Sequence, residues 1–221
     1  MPSIQDSLDL VRAISTHGSS YSKPMNHAQT RTAAISRAQT LWARQPLFLD
    51  TETTGLHATA EIVEICILDQ ADQVLLDSLV KPTRSIPAGV TRLHGISNAM
   101  VRNAPTWVEI WPTVQGILAG RAVGIYNAEF DLRMMQQSHR QSGLAWQPIG
   151  AHAFCIMELY ARFYPTAASG RRSPHRWQSL ANAGRQCAIA LPNAHRARAD
   201  TRLARAILQY MARESGSTIF D

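Results

Sequence analysis

Apolar residues along this chain fall into short runs divided by polar turns, with longer stretches of helical spacing between them. PLFL (46–49), EIVEICILD (61–69), 73–80, RAVGIY (121–126) and 152–156 read as strands, because brief apolar runs bounded by turn residues suit a buried sheet. The turn Gln70, Ala71 and Asp72 is short enough to make its flanking strands an antiparallel pair. Helices are expected over 27–44, 128–142, 157–164, 177–187 and 197–213, the first with Ala28, Ala33, Ile35, Leu41 and Trp42 available for packing. Thr106 and Glu109 form a capping-box pattern that opens a further helix to about Leu118. Pro112 lies inside it and predicts a kink or a restart. Residues 3–15 read as a short amphipathic helix and 16–26 as a linker. A meander followed by βαβ units gives an α/β fold, a mixed five-stranded sheet flanked by helices. The divisions expected are an N-terminal helical extension with linker (1–45), a main domain (46–215) and a tail (216–221).

Composition narrows the class without naming a chemistry. At 221 residues, the chain suits one domain with a sizeable core, plus an extension. No run approaches the roughly 18–20 apolar residues of a membrane span, and the N-terminus lacks a basic start and an apolar signal core. The expectation is a cytoplasmic protein. Cys66, Cys155 and Cys187 do not pair evenly and form no C-x-x-C, so buried free thiols are expected. QPLFL (45–49) superficially resembles a glutamine-led peptide that docks sliding clamps. It overlaps a core strand, however, and the strand reading is kept.

Candidate chemistry lies in three segments, DTETTG (50–55), NAEFD (127–131) and HRARAD (195–200). Asp50 and Glu52 follow an apolar strand, and side chains two apart on a strand share a face. Such an oxygen pair suits a hard cation. Gly55 lets the following turn approach a ligand closely. Asn127 sits where an N-cap would, which puts Asp131 in the first turn of the next helix, at a strand-to-helix junction. An acid there also simply complements the helix dipole. His195 and Asp200 are five residues apart, about 140° around a helix, so they cannot share one helical face. If both serve one site, His195 must lie in the loop before the helix, and Pro192 and Asn193 support a loop.

Together, DTETTGL, the EIVEICILD strand, LVKPTRSIPAGVTRLHGIS (79–97), NAEFD and HRARADT resemble the successive blocks of the DnaQ-like 3′–5′ exonucleases of the DEDDh type. That family includes polymerase III epsilon-type proofreading subunits and stand-alone nucleases such as ribonuclease T. The resemblance covers about residues 46–212 and implies a ribonuclease-H-like fold. It also implies a two-metal site for Mg²⁺ or Mn²⁺. Asp50, Glu52, Asp131 and Asp200 would be the metal carboxylates and His195 the general base. Thr53, Thr54, Gly55 and Leu56 match the turn that holds the 3′-terminal nucleotide, and His94 and Glu64 match recurrent family positions.

Charge points to the same partners. The net charge is +6, and between Gly170 and Arg205 there are eight arginines against one acid, Asp200. Basic clusters attract phosphate backbones. Arg171, Arg172 and Arg176 therefore read as a substrate clamp, whereas Arg202 and Arg205 fit either binding or a solvated helix face. The implied activity is metal-dependent removal of nucleoside 5′-monophosphates from single-stranded 3′ ends, of DNA in a proofreading or repair role. Trimming of RNA 3′ ends and a catalytically silent nucleic-acid-binding module are the alternatives. A DNA polymerase and a second copy of the chain are both open as protein partners.

Overall fold

The apolar runs pair as their spacing predicts, in a computed structural model that describes residues 27–146, 153–164, 177–189 and 195–215. Helix α1 (His27–Ala43) leads into β1 (Leu47–Thr53), β2 (Ile62–Leu68) and β3 (Val74–Leu79). Then come α2 (Ala88–His94), α3 (Asn98–Val101), α4 (Trp107–Leu118), β4 (Val123–Ile125), α5 (Ala128–Gln141), β5 (Ala153–Cys155), α6 (Ile156–Phe163), α7 (Leu180–Gln186) and α8 (Ala197–Arg213). The five strands form one sheet in the order β3-β2-β1-β4-β5. β1–β2 and β2–β3 are antiparallel, and β1–β4 and β4–β5 are parallel, so the sheet is mixed as expected. The expected helix 3–15, linker 16–26, tail 216–221, the arginines 171, 172 and 176, and the loop residues Pro192 and Asn193 lie outside the described residues.

Strand alternation sorts the core into two layers. Leu47 and Leu49 of β1, with Ile65 and Ile67 of β2, pack against Trp107, Ile110, Trp111 and Val114 of α4 and Met134 and Met135 of α5. Phe48 points the other way, into a cluster with Ala34, Ile35, Ala38 and Leu41 of α1, residues of α6, and Leu203, Ile207, Leu208 and Met211 of α8. Leu47, Phe48 and Leu49 are all 0% exposed, which removes the docking-peptide reading of QPLFL. All three cysteines are free thiols. Among the described residues, no helix is long and apolar enough to cross a membrane.

Several local expectations needed correction. Helix α4 carries the capping box, Thr106 and Glu109 bonding reciprocally, but it runs unbroken through Pro112. Pro112 cannot donate to the Val108 carbonyl four residues earlier, and Val108 lies at the exposed surface of the helix. Asn127 occupies the N-cap position of α5 but makes no side-chain cap bond. Strand β1 extends past the apolar run through Thr53, because β2 continues to pair with it after β4 has stopped. The LHGIS block proved to be a helix-to-helix junction. Gly95 closes α2 at φ 77°, its N–H reaching the Thr91 carbonyl, and Ser97 caps α3.

Three arginines of α8 reach across to the β2–β3 meander while staying partly open to solvent. Arg198 pairs with Asp77 of β3, Arg202 with Asp72 at the β2–β3 hairpin tip, and Arg205 donates to the Gln70 carbonyl. Arg205 also lies 5.8 Å from the Trp42 ring. These contacts tie the last helix to the meander and to α1.

Candidate active site

The site grows from strand parity. Asp50 and Glu52 continue the Phe48 side of β1, and so point toward α8. Asp200 lies in the first turn of α8. One carboxylate oxygen from each of Asp50, Glu52 and Asp200 lies within 4.8 Å of the others. Among the described residues, no hydrogen-bond donor reaches the carboxylates of Asp50 or Glu52. Hard oxygen donors this close, and this poorly supplied with donors, fit a divalent cation.

Asp131 is 3% exposed and stands just outside that group. Pairing of β1 with β4 ends at Leu49–Ile125, so the Thr51 N–H has no strand partner. Asp131 Oδ1 accepts from that N–H at 3.0 Å and from the Thr51 hydroxyl at 2.7 Å. The α5 carboxylate thus takes over where the ladder stops.

Electrostatics confirm how crowded the cluster is. Burial, then the charges of Asp131, Asp200, Glu52 and Glu64, pushes the Asp50 carboxyl well above the usual carboxylate range. Burial, then Asp200, Glu64 and Asp131, pushes Glu52 up to about 8, with Arg196 opposing. Burial raises Asp131 against the two bonds from Thr51. It raises Asp200 too, against the His195 N–H bond. Burial is the largest cause at all four, and neighbouring acids add to it at Asp50, Glu52 and Asp200.

His195 lies two residues before α8, as the five-residue offset requires, and its side chain is exposed. Its backbone is left-handed at φ 67°, and its N–H donates to Asp200 Oδ2 at 3.3 Å. Thr53 and Thr54 are buried, and their hydroxyls close the turn internally, onto the Gly55 carbonyl and the Glu61 N–H. Gly55 has φ 150°, and a Cβ there would crowd His57 at 3.2 Å. Leu56 projects into solvent at 76% exposure, so the turn presents backbone and one apolar side chain. His94 is buried behind it. Its Nδ1 accepts from the Ile96 N–H, which leaves Nε2 to donate to the Thr53 carbonyl at 3.3 Å. Burial lowers its pKa.

Sequence reasoning left three contributors unassigned: Thr51, Glu61 and Arg196. Glu61 accepts from the Thr83 N–H and hydroxyl and from the Arg84 N–H. Glu64 accepts from Arg196 and from the Ala197 N–H. The available signal was two acids in an apolar strand, since buried charge requires partners.

Comparison with known proteins agrees with this geometry. The exonuclease family model RNase_T matches residues 47–208. The uncharacterized exonuclease CP81 of Escherichia phage 186 is 37% identical over 187 residues, covering 82% of this chain and 95% of that protein. DNA polymerase III subunit epsilon of Treponema pallidum is 29% identical over 158 residues, 70% of each chain. Among solved structures, exonuclease X in complex with 5′ overhanging duplex DNA is 27% identical, with a TM-score of 0.56 over 78% of this chain and 93% of that one. With its motifs, its five-stranded sheet and its carboxylate cluster in agreement with that match, the chain belongs to the RNase_T exonuclease family, of the DnaQ-like type its sequence resembles.

Proposed function

We propose that this exonuclease removes nucleotides in the 3′ to 5′ direction from single-stranded DNA ends, using divalent cations held by Asp50, Glu52, Asp131 and Asp200. The observation that carries the reading is the close group of Asp50, Glu52 and Asp200 oxygens, with two of the three carboxylates lacking donors. Mg²⁺ or Mn²⁺ bound there would offset the carboxylate charge and stabilise charge developing on the scissile phosphate. His195 takes the proton of the attacking water as the general base, from the loop beside Asp200. The water oxygen bonds to phosphorus as the P–O3′ bond breaks. The products are a nucleoside 5′-monophosphate and a strand one nucleotide shorter with a 3′-hydroxyl. The turn from Thr53 to Leu56, backed by His94, would receive the terminal nucleotide. The similarity to a polymerase III epsilon subunit and to a DNA-bound exonuclease supports DNA as substrate.

Digestion of end-labelled single-stranded DNA, duplex DNA and RNA side by side, with Mg²⁺ or with EDTA, tests this reading. Metal-dependent shortening of single-stranded DNA from its 3′ end is expected. Faster digestion of RNA would move the assignment to 3′-end trimming, and undiminished digestion in EDTA would sink the metal reading. His195→Ala should lower kcat by roughly 10²–10⁴ while Mn²⁺ still binds. A variant that binds Mn²⁺ far more weakly in calorimetry would make His195 a ligand instead of the base.

A further inference from the structure

Glu64 sits on β2 directly opposite Glu52 of β1 and is 2% exposed. A second acid in that register faces the cluster and resembles a fifth ligand. Its oxygens are already occupied. The Arg196 Nε lies 3.1 Å from each of them, Arg196 Nη2 bonds Oε1 at 2.5 Å, and the Ala197 N–H donates to Oε2 at 2.9 Å. Arg196 occupies the N-cap position of α8 yet makes no cap bond with its own side chain. The cap is supplied from across the fold by Glu64, 133 residues away from Ala197.

This arrangement bears on His195, the residue just before Arg196. His195 holds a left-handed backbone at φ 67°, a conformation uncommon for any residue with a side chain but one that histidine visits more than most. Two constraints are visible. Its N–H is bonded to Asp200, and the next two residues are fixed to Glu64 through the guanidinium and the Ala197 N–H. A two-point guanidinium–carboxylate grip fixes orientation as well as distance, which an ammonium cannot do.

We propose that Glu64 and Arg196 are positioning residues that latch the His195 turn and the start of α8 to β2, fixing the imidazole that takes the proton from water. The pair acts on catalysis through His195 and not by binding metal. This inference rests on the proposed nuclease reaction. Its test is a double-mutant cycle, because a residue acting through His195 should lose its effect once His195 is gone. Wild type, Arg196→Ala, His195→Ala and the double variant are compared for kcat and KM on a single-stranded oligonucleotide, and for Mn²⁺ affinity by calorimetry.

Arg196→Ala is expected to lower kcat roughly 10–100-fold, the usual cost of losing a residue that orients a site group. KM and Mn²⁺ affinity should stay within about two-fold. In the His195→Ala background the same substitution should change kcat by less than about two-fold. Equal losses in both backgrounds would overturn the proposal, as would Mn²⁺ affinity that falls in step with kcat. Arg196→Lys guards against a folding failure by keeping a cation beside Glu64. It should still lose activity, and full activity in that variant would show that charge alone suffices and overturn the two-point latch. A wild-type protein without nuclease activity would instead sink the proposed function.

Discussion

Two pairs of acids, Glu61 and Glu64 just before and within β2 and Asp50 and Glu52 on β1, are treated in opposite ways. Glu61 and Glu64 are 5% and 2% exposed, and each is met by donors: Thr83 and Arg84 for the first, Arg196 and Ala197 for the second. Asp50 and Glu52 are less buried, yet their principal neighbours are other acids. The first pair is complete within the protein. On the proposed function, the second is completed by a cation from outside. Burial alone therefore does not mark a functional acid; an acid that the fold leaves without donors does.

The contrast can be broken most sharply at Asp50. Asp50→Ala should abolish hydrolysis while leaving the fold intact, and it should reduce the rise in melting temperature that Mn²⁺ gives over EDTA. Residual wild-type digestion rates, or an undiminished Mn²⁺ shift, would place the cation elsewhere. The opposite result is expected at Glu61. Glu61→Ala strands the Thr83 and Arg84 donors and should cost roughly 1–3 kcal/mol in urea unfolding. The Mn²⁺ shift should survive unchanged, and its disappearance would move Glu61 into the metal site.

The third expected effect is a pH slope. Glu52 is raised from its ordinary 4.5 to about 8 in the folded state, so between those values the native protein holds a proton that the unfolded chain has lost. A raised carboxyl contributes stability at low pH that disappears as pH climbs through the folded value. In EDTA, the wild-type melting temperature should fall between pH 5 and pH 8 more steeply than that of Glu52→Gln. Parallel slopes in the two proteins would remove Glu52 from the crowded cluster.

Much of this was legible in the chain. PLFL, EIVEICILD and RAVGIY gave strands because an apolar run too short for a helix has one economical use in a sheet. Given that both residues serve one site, the five-residue offset of His195 from Asp200 placed the histidine in the loop before α8. What escaped was decided across the fold. Nothing local to Glu64 announces that its partner stands 132 residues later at Arg196. Nothing local to Asp131 announces that β4 will stop short and leave the Thr51 N–H to it. Arg202 and Arg205 looked equally suited to phosphate and to water, and the hairpin tip claimed them. The unbroken course of α4 through Pro112 was also a matter of surroundings, since only the fold shows that the Val108 face is open to water.

The spread of the four carboxylates along the chain also bears on when the proposed site can form. Asp50 lies on the central strand, Asp131 follows β4, and Asp200 comes from the last described helix. On the reading proposed here, a nascent chain at the ribosome has its first carboxylates early and cannot use them. It remains harmless to nucleic acid until α8 has emerged, reached β1 and β2, and been latched by Glu64. Synthesis from N- to C-terminus therefore acts as a safety catch, with the final helix as the arming step.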